Sequence, residues 1–402
     1  MTACPQNRIS IAWEVGATLR LAGPLIAGQL FAIGTNVVDV MLAGHLGAHV
    51  PGAVAVGASV WTFPLMAIIG VMMALSPSVA QLDGAGRRDQ VVTLFGQAVW
   101  LGIGAGILMA VALWLLGPRL VVATGVAPTL VPDVAAFLKA ISFAAPALGL
   151  YMACRGFSEG LSMTRPTMMF GLLGLLLLGP IGYVLMYSGP GLAGLGALGS
   201  GIAAALVVWA QAIAFLVYMR RSRRYRGLPW HGVSWRPDLS VICGLLRLGV
   251  PMAVTVLMEA GLFGAVGLVI GRLGEDAVAS HQVALNVAVV AFMVPLGLAL
   301  ATTVRVGNAV GRADAVAIRR AGMVGICLTL LLQLVSGGAM LLIPGLLVTL
   351  YTGDPIVAVG AVGLLRLAGV FQLSDGMQAV CNGALRGLKD TRVPMVITGF
   401  AY

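Results

Sequence analysis

Three carboxylates sit where a carboxylate is costly. Of the 14 acidic residues, Asp39, Glu259 and Asp375 fall deep within long apolar runs. From Leu21 to Gly44, Asp39 is the single charged side chain. A charge at the centre of a membrane helix costs roughly 2.5–3.5 kcal/mol on insertion scales, and such residues mark ion pathways and proton relays. A carboxylate's protonation responds to how much water reaches it. It can therefore hold a proton in one conformation and release it in another. A pair such as Glu259 and Asp375 could instead hold a hard cation, for instance Na+, through oxygen. A lipophilic cation would be drawn to the same charges. The plainer alternative is a carboxylate that hydrogen-bonds a neighbouring helix.

Other polar groups are sparse. Gln282 and Asn286 stand four residues apart, on one helical face, and could form a polar wall. His281 beside them suits capping or packing. Pro24 and Pro251 each fall in the opening helix of a half of the chain. Proline removes a backbone hydrogen bond and kinks a helix, which suits a hinge or simple bent packing. The five cysteines are scattered singly, so neither a disulfide framework nor a zinc site is indicated. There is no HExxH, no paired catalytic aspartate motif and no phosphate-binding glycine loop. An enzyme is not expected, and no cofactor beyond a coupling ion.

The elements that carry these residues span a membrane. Of 402 residues, 59% are hydrophobic and 9% charged, with a mean hydropathy of +1.01. A soluble domain carries about 25% charged residues, so this is an all-α polytopic membrane protein. A span needs about 20 apolar residues. Helices are predicted near 15–43, 52–80, 91–117, 130–154, 167–187, 192–219, 243–271, 277–304, 316–343 and 356–382, with an eleventh from about 393. The segment "SGPGLAGLG" splits the fifth from the sixth with a Gly/Pro turn. With a cytoplasmic N-terminus, 20 of the 24 Lys and Arg fall on the cytoplasmic side, as the positive-inside rule requires. Nucleic acid is not an expected partner; the bilayer is. The run "RRSRRYR" (220–226) reads as a determinant of topology, and Lys139 and Arg366 are the bases within helices.

The halves of the chain repeat. "LRLAGP" (19–24) answers "LRLGVP" (246–251), and "EGLSMTR" (159–165) answers "RGLKDTR" (386–392), all at an offset of 227. Gly86-Arg87 is matched with Gly311-Arg312 at 225, which implies small insertions near helix 2. Six helices per repeat give parallel repeats, and such repeats place a transport site between the halves. The expected domains are an N-terminal six-helix bundle (1–219), a basic cytoplasmic linker (220–242) and a C-terminal bundle (243–402). By the repeat, the second bundle lacks about half of helix 11 and all of helix 12. The expectation is a C-terminally truncated transporter. The three acids do not repeat: their equivalents are Val266, Ala32 and Leu148.

"VDVMLAGHLG", "AVAVGASVW", "SPSVAQLDGAGRR", "EGLSMTRPTM", "ASHQVALN" and "MVPLGLALATTVRVGNAVGR" together resemble bacterial MATE multidrug and toxic compound extrusion transporters of the NorM-like branch. The resemblance implies two six-helix bundles around a central cavity. It implies export of cationic, amphiphilic drugs in exchange for Na+ or H+, by a monomer in the bacterial inner membrane. The family's helix-1 aspartate, helix-7 glutamate and helix-10 aspartate fall on Asp39, Glu259 and Asp375, and its helix-8 polar motif on Gln282 and Asn286. One departure is visible. Where the family often carries asparagines around a helix-5 proline, this chain has Leu178 and Gly182 around Pro180, so a thinner polar network near Asp39 is expected. The competing reading is a lipid-linked precursor flippase of related fold, which would place bases in its central cavity.

Overall fold

A computed structural model describes residues 11–46, 49–123, 125–187, 194–230 and 235–401. All the regular structure among them is helical. In hydrocarbon each backbone polar group must be satisfied within its own segment, which leaves the helix as the open chain's solution. Ten helices are long and apolar enough to cross a membrane. They are helix 1 (Ile11–Gly44), helix 2 (His49–Gly84), helix 3 (Arg88–Ala123), helix 4 (Val131–Gly160), helix 5 (Arg165–Met186), helix 6 (Gly196–Arg221), helix 7 (Leu239–Leu273), helix 8 (Glu275–Gly311), helix 9 (Ala315–Leu342) and helix 10 (Pro355–Gly387). A short helix, Pro344–Thr349, precedes helix 10, and helix 11 is Arg392–Ala401. Residues 188–193 of the expected Gly/Pro turn lie outside the described residues; helices 5 and 6 flank it.

Two of these helices are broken rather than continuous. Helix 2 is interrupted between Met72 and Leu75, and helix 4 between Ser142 and Ala144. Each break lies three or four residues before a proline, Pro77 and Pro146. The pyrrolidine ring clashes with the carbonyl four residues back and donates no hydrogen bond to it. Pro24 and Pro251, by contrast, end neither helix 1 nor helix 7.

Packing follows the repeat. Helix 1 lies on helix 5 as helix 7 lies on helix 11; helix 2 lies on helix 4 as helix 8 lies on helix 10; helix 3 lies on helix 4 as helix 9 lies on helix 10. The offset holds at 227 throughout, which corrects the 225 expected at helix 2. The turn after helix 2 pairs Gly86 N–H with Asp83 O and Arg87 N–H with Leu82 O. The turn after helix 8 pairs Ala313 N–H with Val310 O and Asp314 N–H with Ala309 O. Gly86 and Ala313 both take a positive φ, 73° and 53°. The structural equivalent of Gly86 is therefore Ala313, and the glycine at 311 is a lookalike two residues too early.

The two bundles meet through helices 1 and 8, 2 and 7, and 2 and 8. The seam needs small residues, since close backbone approach is what packs helices in lipid. Gly70 abuts the Ala253 backbone and Gly249 abuts Val71, with no room for a side chain at either glycine. Leu21, Ala22 and Leu25 of helix 1 join Ala80 of helix 2 and Leu298, Ala301 and Val304 of helix 8 in one buried cluster. This cluster lies in the half of the molecule that carries the N-terminal end of helix 1 and most of the arginines; it is termed the basic face below. The linker is not a free tether. Tyr225 is fully buried and shares a 2.8 Å hydrogen bond with Ser158, while Gln97 donates to Arg236 O and accepts from Asp238 N–H. Both contacts pin it to helices 3 and 4.

Candidate coupling and substrate site

Helix 1 delivers Asp39 to the half opposite the basic face, one and a half turns from the helix end. The carboxylate is half-buried and accepts a 2.9 Å hydrogen bond from Ser200 Oγ of helix 6. Among the described residues Ser200 is its hydrogen-bond partner. Leu178 on helix 5 is buried and apolar. The network is thus sparse, as the Leu178–Pro180–Gly182 segment indicates.

The structure brings Glu259 and Asp375 together. Glu259 of helix 7 accepts from Gln378 Nε2 of helix 10 at 3.2 Å. Gln378 lies one turn beyond Asp375, and the two carboxylates are near enough for their charges to interact. Arg386, three turns further along helix 10, also acts on Glu259 through its charge. No group of three or more His, Cys, Asp or Glu that could hold a metal occurs among the described residues. The pair supplies two anionic oxygens, and Gln378 offers an amide oxygen beside them. That donor set suits a monovalent cation that keeps part of its water, or a proton.

Gln282 and Asn286 are both exposed on helix 8, four residues apart on one face. Away from the basic face Val278, Val289 and Val290 of helix 8 and Val37 and Met41 of helix 1 are also exposed. Toward the basic face helices 1 and 8 bury Leu21, Leu25, Leu298 and Val304 in the seam. Helices 1 and 8 thus pack more closely toward the basic face than away from it; Asp39 is on helix 1, Glu259 on helix 7 and Asp375 on helix 10.

Two further ionic sites were not read from the sequence. Glu14 of helix 1 is 3% exposed and forms a two-pronged pair with Arg305 of helix 8, at 2.8 and 2.6 Å. The Arg305 guanidinium also stacks 5.1 Å from the Trp13 ring centre. The pair joins the bundles across 291 residues of sequence. Glu159 of helix 4 accepts from Arg155 at 2.7 Å, and Arg155 reaches Gln29 of helix 1 at 2.9 Å. The four-residue spacing of Arg155 and Glu159 was a usable signal; nothing in the sequence linked Glu14 to Arg305. Lys139 and Arg366 are both exposed, and the Lys139 ammonium lies 5.6 Å from the Trp114 ring centre, on helix 3.

Comparison with known proteins agrees with this geometry. The family model MatE matches residues 24–184 and 251–402. The two matches begin 227 residues apart, at the two helix-1-type prolines. A Xanthomonas campestris protein called "Probable multidrug resistance protein NorM" is 46% identical over 398 residues, covering 99% of this chain and 87% of its own. The Pseudomonas aeruginosa "Multidrug resistance protein PmpM" is 36% identical over 401 residues, covering 100% and 84%. Among solved structures, the eukaryotic MATE transporter AtDTX14 superposes with a TM-score of 0.83 at 19% identity, covering 98% of this chain and 87% of its own. An outward-facing multidrug resistance MATE transporter gives 0.85 at 18%, covering 96% and 85%.

Proposed function

Because this chain belongs to the MatE family, we propose that it is a secondary active antiporter that exports cationic, amphiphilic drugs in exchange for Na+ or H+. The observation that carries the reading is the placement of its acids. Asp39 stands on helix 1 of one bundle, and Glu259 and Asp375 stand on helices 7 and 10 of the other; the reading puts the drug's path in a gap between the bundles. A transporter moves its solute without making or breaking a covalent bond, and the chain is not an enzyme. The bundles are the two units, 1–219 and 243–402, joined by 220–242. The basic face is the cytoplasmic side, by the positive-inside rule, in the bacterial inner membrane. In that orientation the described conformation opens outward.

Alternating access then requires the Glu14–Arg305 seam to part and the outer ends of helices 1, 2, 7 and 8 to close. A ligand shifts such an equilibrium only by its difference in affinity for the two states. Binding of the coupling ion at Glu259 and Asp375 removes charge repulsion between two carboxylates, which supplies that difference. Protonation of Asp39 removes the charge that holds a cationic drug. Pro24 and Pro251, near the point where the bundles diverge, are the hinges. A precursor flippase is less well supported, since the charges deep in seam helices 1 and 7, Asp39 and Glu259, are acidic.

Reconstituted vesicles test this directly. An ethidium-like cation is loaded, and a Na+ gradient or a pH gradient is imposed alone. Efflux driven by one gradient, abolished when it is collapsed, is expected. Gradient-independent leakage of the cation, or no movement under either gradient, would sink the proposal.

A further inference from the structure

Two cavities of similar size open on the basic face, one within the second bundle and one on helix 1, where Arg305 of helix 8 reaches across the seam, and they share positions related by the repeat. The second bundle's cavity, about 310 Å³, is lined by Arg247, Leu248 and the turn 388–392. The first bundle's, about 360 Å³, is lined by Arg20, Leu21, Ser162 and Arg305, together with Trp13 and its neighbours. Arg20 and Arg247, Leu21 and Leu248, and Ser162 and Lys389 are each 227 residues apart. Ser162 and Lys389 also share an uncommon backbone, with φ of 62° and 61°. The two cavities thus share three positions of the repeat and differ in the rest of their lining.

Their chemistry has diverged. In the first bundle the turn presents a hydroxyl, and the Arg305 charge is already taken by Glu14. In the second, the turn presents the Lys389 ammonium, with Arg247 and Arg392 beside it. None of these three cations has an ion pair or hydrogen bond among the described residues. Asp390 lines the same cavity, but its carboxylate accepts from Val393 N–H at the start of helix 11. Burial pushes the Lys389 ammonium below the usual lysine range.

We propose that Arg247, Lys389 and Arg392 form a site for the phosphate of an anionic phospholipid headgroup. The cavity lies at the end of membrane-spanning helices, with the exposed Leu388 at its rim. That places the phosphate at headgroup depth and an apolar surface beside the acyl chains. The chemistry would also accept free phosphate, but the position at the bilayer edge commits the site to lipid. The leaflet, cytoplasmic, rests on the orientation proposed above; the binding does not.

The test uses the purified full chain in neutral detergent, with phosphatidylglycerol retention measured by native mass spectrometry and titration. Wild type should retain phosphatidylglycerol in preference to phosphatidylcholine. The triple variant R247Q/K389Q/R392Q should lose affinity roughly a hundredfold, from three charges near an anionic lipid. Arg20→Gln, in the diverged counterpart, should leave affinity within about twofold of wild type. Should the triple variant fail to fold, Arg247→Gln alone should still weaken retention, while Lys389→Arg should preserve it. Equal retention by wild type and the charge-removing variants, or an equal loss with Arg20→Gln, overturns the site. Displacement of the lipid by excess inorganic phosphate alone overturns its assignment to lipid. Because binding is read without transport, a failed lipid site and a failed antiporter give different results.

Discussion

Among the described residues Asp39 is held by one donor, and that makes its role separable from its packing. An asparagine at 39 keeps an oxygen that can accept from Ser200, so Asp39→Asn should fold and insert normally. It cannot gain or lose a charge, so gradient-driven efflux should fall to background. Wild-type efflux by this variant would reduce Asp39 to a packing group. Ser200→Ala removes a hydrogen bond to a charged group, worth roughly 1.5–3 kcal/mol, and should change the pH dependence of transport more than its maximum. For the second bundle, Glu259→Gln and Asp375→Asn should each abolish efflux and remove any Na+-dependent thermal stabilisation. Retained stabilisation in both variants would place the ion elsewhere. The acids were legible in the sequence because a lone charge in an apolar run has few explanations. Their partners were not. Ser200 sits in "GALGSG", where a small residue reads as packing, and Gln378 carries no charge to draw notice. Glu14 is near a helix end, where a carboxylate costs little, so nothing marked it as buried.

At the scale of helices, the Glu14–Arg305 pair is the seam's strongest polar link. Breaking a buried ion pair by removing one partner costs roughly 3–5 kcal/mol, because the other charge is left unpaired. The cost falls on the closed seam alone, since parted bundles let water reach the survivor. Arg305→Ala should therefore shift the population toward the state open at the basic face. Spin labels at Gln90 and Val316, exposed on the two bundles, would report a longer mean distance. The exchange Glu14→Arg with Arg305→Glu should restore the shorter one. An unchanged distance in Arg305→Ala would mean that the apolar cluster of Leu25 and Leu298 holds the seam unaided. The number and order of helices were readable from hydropathy alone. Their internal breaks, at Met73 and Phe143, followed from prolines that a hydropathy window averages away. The repeat was readable too, but its register near helix 2 was not. Sequence matching aligned glycine with glycine, whereas the fold aligns one positive-φ turn with another.

For the whole molecule, the decisive feature is asymmetry across the membrane. Helix 8 shows it in one element: Gln282 and Asn286 are exposed, while Ala301 and Thr302, four turns further on, are fully buried at the seam. Hydropathy could not foretell this, since both ends of the helix are apolar enough for lipid. An exposed residue could face lipid or a water-filled gap, and the two differ in one measurable respect. A membrane-impermeant maleimide reaches thiols in water and not those in hydrocarbon. In a cysteine-free background, Asn286→Cys in intact cells should label rapidly from outside, and Ala301→Cys should not. A saturating cationic substrate should protect Asn286→Cys, because it would occupy the same gap. Arg305→Ala should lower the labelling at 286 and raise that at 301 in inverted vesicles, since the two openings exclude one another. If both cysteines resist the reagent from either side, helix 8 faces lipid at Asn286, and the gap between the bundles is not the path of the drug.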